Sequence, residues 1–595
     1  MRKIFKYTLL LMTITATMSL GSGCDLFRKT NDGKVDKNWY MGLTYQNKAG
    51  EDTLYTTKMG DSVAAVALEG EYAGDYAIVK GEEVFVNIDT IKEKIDDRFY
   101  WDKNENLVLF TNANEVFTTK VGENEIVGTQ SETTEYTISF VEKKKCYLNI
   151  KFVTKYIDIK YTFTKKKDDA PAILYLQYKD GEKTYMTVSD DIEMRSKGDY
   201  QNLIVTNVAE DTKVEILETG KNWDKVCTDT GYIGYLPVSY LEDAKKEKIT
   251  YKNDSDTYTH VLMDKKVCMV WNQVYNQTAN NQIGALTANV KGVNVISPTW
   301  FSLVDKRANL SSLADLDYVE TAHNKGMQVW ALVDDFKNKK ITGTVLSNTS
   351  LRQRLVNNIM YFIDSYDLDG INIDFEYISK NVGDSYLQFL RELSIECRKA
   401  QKVLSIDNYV PSEWSSFYDI PQQGLLADYI IIMNYDEHTV GSTEAGSVAS
   451  MPFVENSIKD TLALVNDKNR IINGMPFYTR LWTLTPANGE GEQEGTYVED
   501  AVNGDYYLTS EALGMSQAKK AYKQAGVKPS FDEATGQNFV TYETTQGEVM
   551  MWLEDATSVK ARLDLMTQYE LGGAACWSLG RETDNIWNVM APYFE

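Results

Sequence analysis

The chain has 595 residues, which at the usual domain size is enough for about three or four domains. Its 86 acidic side chains outnumber the 62 basic ones, so the formal net charge is −24. A surface of that sign repels nucleic acid and anionic lipid, and no stripe of basic residues offsets it, which excludes both as partners of the folded body.

The chain opens with the pattern of an export signal. Basic residues within the first six positions precede an apolar run over residues 7–20, which is too short for a finished transmembrane helix. Small residues then precede Cys24, an arrangement that resembles a bacterial lipoprotein signal. The resemblance implies that residues 1–24 are a signal peptide and that lipidated Cys24 anchors the exported protein at the bacterial cell surface. Plain secretion is the alternative.

A β-rich region follows a polar segment. Residues 25–60 are rich in Lys, Asn, Asp and Gly, which predicts a linker. Residues 61–180 contain short β-branched and aromatic runs between turn residues, which predicts a small β domain. Its segments 81–95 and 100–111 resemble the copper amine oxidase N-terminal-like module of many cell-wall proteins. The resemblance implies no copper, because no histidine cluster accompanies it.

A second β-rich segment, residues 186–243, resembles a bacterial SH3-like domain. The segments 192–195, 212–217 and 231–236 and the side chain of Trp223 carry this resemblance. Such modules often hold wall polymers, so the resemblance implies binding to the cell wall. The alternative is a spacer domain in which Trp223 belongs to the core.

From about residue 258, apolar runs alternate with amphipathic segments of helical period, which predicts repeated βα units. Candidate strands occupy residues 267–271, 293–297, 328–333, 370–375, 403–408, 429–434, 470–475 and 573–578. Eight such units fit a closed (β/α)8 TIM barrel over 258–595, and the interval 483–545 predicts an α+β insertion beside the cleft. The predicted fold class is therefore α/β, with a C-terminal TIM barrel preceded by two small mostly-β domains.

Chemistry-bearing residues concentrate at the end of the fourth candidate strand. Alternation along residues 368–377 directs Asn372, Asp374 and Glu376 into the barrel and the apolar residues between them toward the helices. Burial of three polar groups is costly unless they serve a function. The carboxyl end of a barrel strand is also where barrel enzymes place catalytic groups.

This segment resembles the DxxDxDxE signature of glycoside hydrolase family 18. Its four positions are held here by Asp369, Asn372, Asp374 and Glu376. Further matches follow in the family's order at residues 433–436, at residues 474–482 and at Trp577. The resemblance covers residues 258–595 and implies a glycosidase that cleaves N-acetylglucosamine-containing glycans.

The spacing of the two carboxylates limits the chemistry. Asp374 and Glu376 alternate on one strand and approach a sugar from the same side, so Asp374 cannot attack opposite the bond that Glu376 protonates. What remains is retaining, substrate-assisted hydrolysis, in which the substrate's own 2-acetamido oxygen is the nucleophile. The substrate must then carry an N-acetyl group.

We expect Glu376 to act as catalytic acid and then as base, with a pKa raised by burial beside another acid. Asp374 would orient the acetamide and stabilise the oxazolinium intermediate. The resemblance implies that Tyr435 donates a hydrogen bond to the acetamide oxygen and that Trp577 forms the floor of the sugar subsite. It also implies supporting roles for Asp369 and Asn372 and substrate contacts for Asp436, Asn434, Met433, Tyr478 and Arg480. For Trp577 and Tyr478 the alternative is core packing.

Asn372 departs from the family's chitinases, which usually carry Asp at that position. Because an amide cannot share a proton with Asp374, we expect Asp374 to be firmly anionic. Together with residues 436–438 and 441–450, Asn372 resembles the branch of N-acetylglucosaminidases that act on bacterial peptidoglycan, including spore-cortex enzymes. The resemblance therefore implies a peptidoglycan substrate.

Two other functions remain open at this point. One is an endo-β-N-acetylglucosaminidase or chitinase acting on host or dietary glycans, and the other is a non-catalytic glycan-binding wall protein. The three histidines, His260, His323 and His438, and the scattered cysteines lack ligand spacing. We therefore predict neither a metal site nor a cofactor.

Overall fold

The structure is a computed structural model of the chain. It describes residues 30–37, 39–41, 44–46, 52–54, 62–166, 170–252, 257–487, 494–502 and 504–595. The predicted signal peptide with Cys24 lies outside these residues, as does most of the predicted linker. The chain divides into two compact units, Met1–Thr257 and Tyr258–Glu595.

The first unit is mostly β-structure, as the sequence predicts. Its strands are β1 (Thr44–Gln46), β2 (Asp52–Leu54), β3 (Val63–Leu68), β4 (Glu71–Lys80), β5 (Glu83–Asn87), β6 (Phe99–Asp102), β7 (Leu107–Thr111), β8 (Val116–Lys120), β9 (Glu125–Val127), β10 (Ser131–Thr133), β11 (Ser139–Glu142), β12 (Lys145–Asn149), β13 (Lys160–Thr164), β14 (Ala172–Gln177), β15 (Gly181–Val188), β16 (Ile192–Arg195), β17 (Ile204–Val208), β18 (Lys213–Glu218), β19 (Trp223–Thr228), β20 (Ile233–Pro237) and β21 (Leu241–Ile249). Two short helices, α1 (Ile88–Lys94) and α2 (Ile150–Tyr156), begin at Asn87 and Asn149, whose side chains accept a hydrogen bond from the helix backbone.

Two seven-stranded sheets of this unit share a hydrophobic core. They have the strand orders β11-β12-β5-β4-β3-β14-β13 and β17-β16-β20-β19-β18-β15-β21. Along β3, Ala64 and Val66 face the core that contains α1 and α2, whereas Ala65 and Ala67 face a core that includes Met194 of the second sheet. The short alanine side chains allow this close approach. The boundary predicted between residues 180 and 186 falls within β15 or beside it, and the division into two domains stays a prediction.

The second unit alternates strands and helices. Its strands are β22 (Val267–Asn272), β23 (Val295–Leu303), β24 (Leu310–Ser312), β25 (Gln328–Asp334), β26 (Gly370–Asp374), β27 (Val403–Asn408), β28 (Tyr429–Met433), β29 (Ile471–Pro476), β30 (Tyr478–Pro486), β31 (Thr496–Val498), β32 (Tyr506–Gly514), β33 (Ser530–Asp532), β34 (Gln537–Thr544), β35 (Gly547–Leu553) and β36 (Gly573–Trp577). Its helices are α3 (Ile283–Leu286), α4 (Leu316–Asn324), α5 (Lys339–Leu346), α6 (Thr349–Ser365), α7 (Gly383–Ala400), α8 (Ile420–Leu426), α9 (Met451–Leu462), α10 (Met515–Gln524), α11 (Ala556–Gln568) and α12 (Ile586–Met590).

Eight parallel strands close into a barrel. Their order is β22-β36-β29-β28-β27-β26-β25-β23, and the additional pairing of β22 with β23 joins the two ends. Close packing of β36 against β22 requires Gly573, where an added Cβ would lie 2.1 Å from the Val267 carbonyl oxygen. The predicted TIM barrel is confirmed.

Alternation along the strands separates two layers of side chains. Ile371 and Ile373 belong to the large core between the barrel and its helices. The barrel interior is filled by a smaller apolar cluster that includes Trp271, Trp330 and Tyr429. The polar side chains of β26 therefore point inward, as the period of two predicts.

The insertion is an α+β subdomain of six strands in the order β31-β32-β30-β35-β34-β33, with α10 packed on it. It starts earlier than predicted, because β30 follows β29 after a single intervening residue and carries Tyr478 and Arg480 into the subdomain. Among the helices that the structure describes, none has the length and apolar character needed to cross a bilayer.

Candidate active site

A hydrogen-bond network around Asn372 fills the middle of the barrel. The Asn372 side chain is fully buried, and its Oδ1 accepts hydrogen bonds from Trp271 Nε1 at 2.9 Å and Ser297 Oγ at 3.2 Å. Its Nδ2 donates to Ser405 Oγ at 3.1 Å and to Asp407 Oδ1 at 2.9 Å. Because donors surround Oδ1 and acceptors surround Nδ2, the orientation of the Asn372 amide is fixed.

Asp374 lies two residues beyond Asn372, at the carboxyl end of β26, and is only 4% exposed. No described residue forms a hydrogen bond with its Oδ1. Burial first, and then the charges of Asp407 and Glu376, raise the pKa of Asp374 well above its usual value. This direction runs against the expectation of a firmly anionic Asp374, because Asp407 on the neighbouring strand supplies a nearby carboxyl charge that Asn372 lacks.

Glu376 follows the end of β26 and is partly buried. The Tyr409 hydroxyl donates a hydrogen bond of 2.5 Å to Glu376 Oε2. Burial raises the pKa of Glu376, the Tyr409 hydrogen bond opposes that shift, and the charges of Asp436 and Asp334 add to it. A raised pKa extends to higher pH the range in which this carboxyl group carries a proton that it can donate.

Asp335 holds the backbone that carries Glu376. This fully buried residue accepts hydrogen bonds from the backbone N–H of Glu376 at 3.0 Å and of Tyr377 at 3.1 Å. Burial raises the pKa of Asp335 to about 6, although these backbone hydrogen bonds lower it. The turn after β26 is thus tied to the end of β25.

Tyr435 and Tyr478 lie beside the carboxyl groups. Their rings make an edge contact with centroids 6.4 Å apart, and the Tyr478 hydroxyl donates a 2.5 Å hydrogen bond to Asp436 Oδ1. Burial, with smaller contributions from Tyr478, Asp407 and Asp374, raises the pKa of Tyr435 far above 10. Its hydroxyl therefore stays neutral and able to donate a hydrogen bond.

Three further predicted residues lie around this group. Trp577 is half-buried and makes an edge contact with Trp271, with ring centroids 5.7 Å apart. Met433 is half-buried at the end of β28, and Arg480 Nη1 donates to Ser510 Oγ at 3.1 Å in the insertion.

Two predicted residues hold the scaffold instead. Asp369 precedes β26 at the opposite end of the barrel, where its Oδ2 accepts from the Val329 backbone N–H and lies 2.8 Å from His323 Nε2. Asn434 is buried, and its amide is bound to Asn473 at 2.7 Å and to Ser457 at 2.5 Å. Neither side chain joins the carboxyl cluster.

The structure adds residues that the sequence analysis did not single out. Apart from Trp271 and Ser297, they lie at or just beyond the carboxyl ends of strands: Asp334 ends β25 and Asp335 follows it, whereas Asp407 is the last residue but one of β27 and Tyr409 follows that strand. That position is the available signal, because barrel enzymes assemble their sites from several strand ends. Among the described residues, no group of three His, Cys, Asp or Glu side chains could hold a metal ion.

The fold and this site together define a class. A TIM barrel with a partly buried carboxyl group after its fourth strand, surrounded by further carboxyl groups, has the groups that acid–base hydrolysis of a glycosidic bond requires. The model of the family described as "Glycosyl hydrolases family 18" matches residues 238–582, more than half of the chain. The chain belongs to this family and is a glycosidase. The model of the copper amine oxidase N-terminal domain matches residues 69–169, which confirms that module.

Relatives of the chain include proteins of Bacillus subtilis. The chain is 23% identical over 311 residues to the uncharacterized glycosylase YvbX of Bacillus subtilis, with 50% of this chain and 84% of that protein covered. It is 26% identical over 266 residues to the cortical fragment-lytic enzyme of Bacillus subtilis, with 42% of this chain and only 55% of that protein covered. The crystal structure of the spore cortex-lytic enzyme SleL of Bacillus megaterium aligns with a TM-score of 0.47 at 18% identity, over 59% of this chain and 77% of that one.

Proposed function

We propose that this glycosidase cleaves N-acetylglucosamine-containing glycans of bacterial peptidoglycan by a retaining, substrate-assisted mechanism. The observation that carries the proposal is the placement of Glu376 and Asp374 on one strand end, with a raised pKa for both. Carboxyl groups that approach from one side provide an acid but no opposed nucleophile, so the acetamide of the substrate must attack.

Each residue then has a role in the reaction. Glu376 protonates the leaving oxygen and afterwards takes a proton from water, so that it returns to its starting state. Asp374 binds the acetamide N–H and stabilises the positive charge of the oxazolinium intermediate. Tyr435 donates a hydrogen bond to the acetamide oxygen, Trp577 supports the sugar ring from below, and Met433, Asp436, Tyr478 and Arg480 contact the substrate.

Exposed aromatic rings at the barrel rim support a glycan as the ligand. Tyr275, Phe336 and Trp414 follow the carboxyl ends of β22, β25 and β27 and are 75%, 41% and 66% exposed. Tyr377 follows β26, and its ring lies 5.8 Å from that of Phe336. Flat apolar faces of this kind match the C–H faces of pyranose rings.

The choice of peptidoglycan is supported by Asn372 and by the relatives named for cortex lysis. A bacterial wall substrate also agrees with the proposed lipid anchor at Cys24 or secretion, and with wall binding by the proposed SH3-like segment at residues 186–243. Chitin or N-glycans are the alternative substrates. Analysis of the reaction products distinguishes these substrates.

The test is product analysis by mass spectrometry after the full chain has been incubated separately with peptidoglycan, chitin oligomers and N-glycans. We expect fragments with N-acetylglucosamine at the reducing end from peptidoglycan. Glu376→Gln should lower kcat by at least about 100-fold without loss of folding, because it removes the transferable proton. Glu320→Gln, an exposed substitution on α4, is the matched control. Unchanged turnover by Glu376→Gln would remove Glu376 from its role.

A further inference from the structure

Arg581 is a cation in the loop that follows β36, at the carboxyl end of the barrel and shortly after Trp577. Its side chain is half-buried, and no carboxylate of a described residue forms an ion pair with it. The adjacent carboxylate in the sequence, Glu582, instead accepts a hydrogen bond from the Gly580 backbone N–H at 2.7 Å. Because an unpaired charge in a partly desolvated position is unfavourable, this guanidinium indicates an anionic ligand.

The insertion holds the backbone of Arg581 in place. The Arg581 carbonyl oxygen accepts a hydrogen bond from the Met515 backbone N–H at 2.7 Å, and an added Cβ at Gly514 would lie only 2.9 Å from that oxygen. The Cζ atom of Arg581 lies 5.9 Å from the centroid of the Tyr478 ring, whose hydroxyl donates to Asp436. The loop is therefore fixed at its backbone, and the Tyr478 ring connects the guanidinium to the edge of the site.

Gln273 supplies a second donor at the same place. This half-buried residue follows the end of β22, and its Oε1 accepts from Ser578 Oγ at 3.3 Å and from Arg581 Nη2 at 3.5 Å. The amide is therefore oriented with Nε2 turned away from these two donors. Within the described part of the chain, Nε2 forms no hydrogen bond. A guanidinium and an amide with unused N–H groups together provide the donors that recognise a carboxylate.

These donors lie across the barrel from the proposed acid. In the closed order β22-β36-β29-β28-β27-β26-β25-β23, the strand β36 stands opposite β26, whose end leads to Glu376. Because Glu376 protonates the oxygen of the departing sugar in the proposed reaction, the sugars before the scissile bond extend toward the loops after β36 and β22. Tyr275, which is 75% exposed in the loop after β22, offers a flat apolar face to a sugar there.

We infer that Arg581 and Gln273 form a subsite that binds a carboxylate on the sugar preceding the one on Trp577. This inference rests on the proposed function. With N-acetylglucosamine at the Trp577 position, the preceding sugar of a peptidoglycan strand is N-acetylmuramic acid, whose lactyl group ends in a carboxyl group. That group is a free carboxylate only where no stem peptide is attached. Peptide-free strands are therefore the preferred substrate, and chitin oligomers lack the group that the subsite binds.

The test compares two forms of one substrate: peptide-free strands of alternating N-acetylglucosamine and N-acetylmuramic acid, and the same strands with their lactyl carboxyl groups converted to N-methylamides. For the unmodified chain we expect kcat/KM to be about tenfold higher for the free acid, as is typical of charge-assisted hydrogen bonds. In Arg581→Gln this ratio should fall to about one, because the cation is lost. In Arg581→Glu it should fall below one. Arg354→Gln, which removes an exposed cation on α6, is the matched control and should keep the ratio of the unmodified chain.

Calorimetric titration of Glu376→Gln with both forms gives a readout that needs no turnover. The free acid should bind about tenfold more tightly than the amide, and the double variant Arg581→Gln/Glu376→Gln should bind both equally. Equal kcat/KM values or equal affinities for the two forms in the presence of Arg581 would overturn the inference, as would a preference for the free acid that survives in Arg581→Gln. If the unmodified chain cleaves neither form, the proposed function fails and the affinities alone decide the subsite, whereas cleavage of both forms at one rate defeats only this inference.

Discussion

The position of one proton decides what Glu376 can do. Its carboxyl group is partly buried and lies among other acids, which raises its pKa, while the Tyr409 hydroxyl stabilises the charged form. These opposed effects set the pH above which the acid loses its proton. The same phenol remains neutral, because burial and Glu376 raise the pKa of Tyr409 far above its usual value.

Removal of the Tyr409 hydroxyl therefore has a predictable sign. In Tyr409→Phe the carboxylate loses a donor, so the pKa of Glu376 rises and the proton is retained to higher pH. We expect the alkaline limb of the kcat/KM profile to move to higher pH, measured on a soluble N-acetylglucosamine oligomer. Tyr361→Phe, on the exposed face of α6 (65% exposed), should leave the profile in place. A limb that moves to lower pH in Tyr409→Phe would contradict this account of Glu376.

At the scale of single residues, the sequence predicts which side chains of β26 point inward but not which side chains of the neighbouring strands lie beside them. Alternation along residues 370–376 is enough to direct Asn372, Asp374 and Glu376 inward, because the side-chain period of a strand is fixed. Asp407 could not be paired with Asp374 in the same way, since the register of two parallel strands depends on the closure of the whole barrel. The effect of Asp407 on the pKa of Asp374 therefore does not follow from the alternation along β26.

The turn after β26 is the element on which the catalytic geometry depends. Asp335, at the end of β25, satisfies two backbone N–H groups in this turn. Loss of such an acceptor leaves two partly buried backbone donors without a partner. The turn would then relax and displace Glu376 from the scissile bond.

We expect Asp335→Ala to lower both kcat and the free energy of unfolding, the latter by about 1–3 kcal/mol. Asp335→Asn keeps one acceptor oxygen and should lie between this variant and the unmodified protein. Asp305→Ala is a suitable comparison, because Asp305 also accepts from two backbone N–H groups, those of Arg307 and Asn309, in a turn before β24. It should lower stability and leave kcat unchanged. Chemical unfolding and steady-state rates together test this, and full activity in Asp335→Ala would refute it.

The period of the hydrophobic residues predicts the strands of the barrel, and the predicted and observed strands differ only at their ends. Every predicted barrel strand coincides with an observed one, and the largest difference is β23, which continues to Leu303 because an antiparallel hairpin with β24 extends it. The insertion starts earlier than predicted, because only Phe477 separates the end of β29 at Pro476 from the start of β30 at Tyr478, so no loop marks the change of sheet. Local sequence carries the period of a strand but not the sheet that it joins.

The whole molecule combines an acidic glycosidase barrel with a mostly-β unit. The net charge of −24 disfavours polyanionic substrates of high charge density and is compatible with a glycan. In the first unit, residues 69–169 are assigned by family, whereas the SH3-like identity of residues 186–243 stays a prediction. The shared core of β3 and the second sheet could not be predicted, since alanines on a strand give no sign of what they contact.

The central claim is that the substrate supplies the nucleophile through its own acetamide. The most direct measurement compares the rates at which the full chain cleaves an N-acetylglucosamine-containing peptidoglycan fragment and the same fragment after N-deacetylation, with products quantified by mass spectrometry. The account predicts cleavage of the acetylated fragment and a rate below detection for the deacetylated one. Equal rates for the two fragments would contradict it.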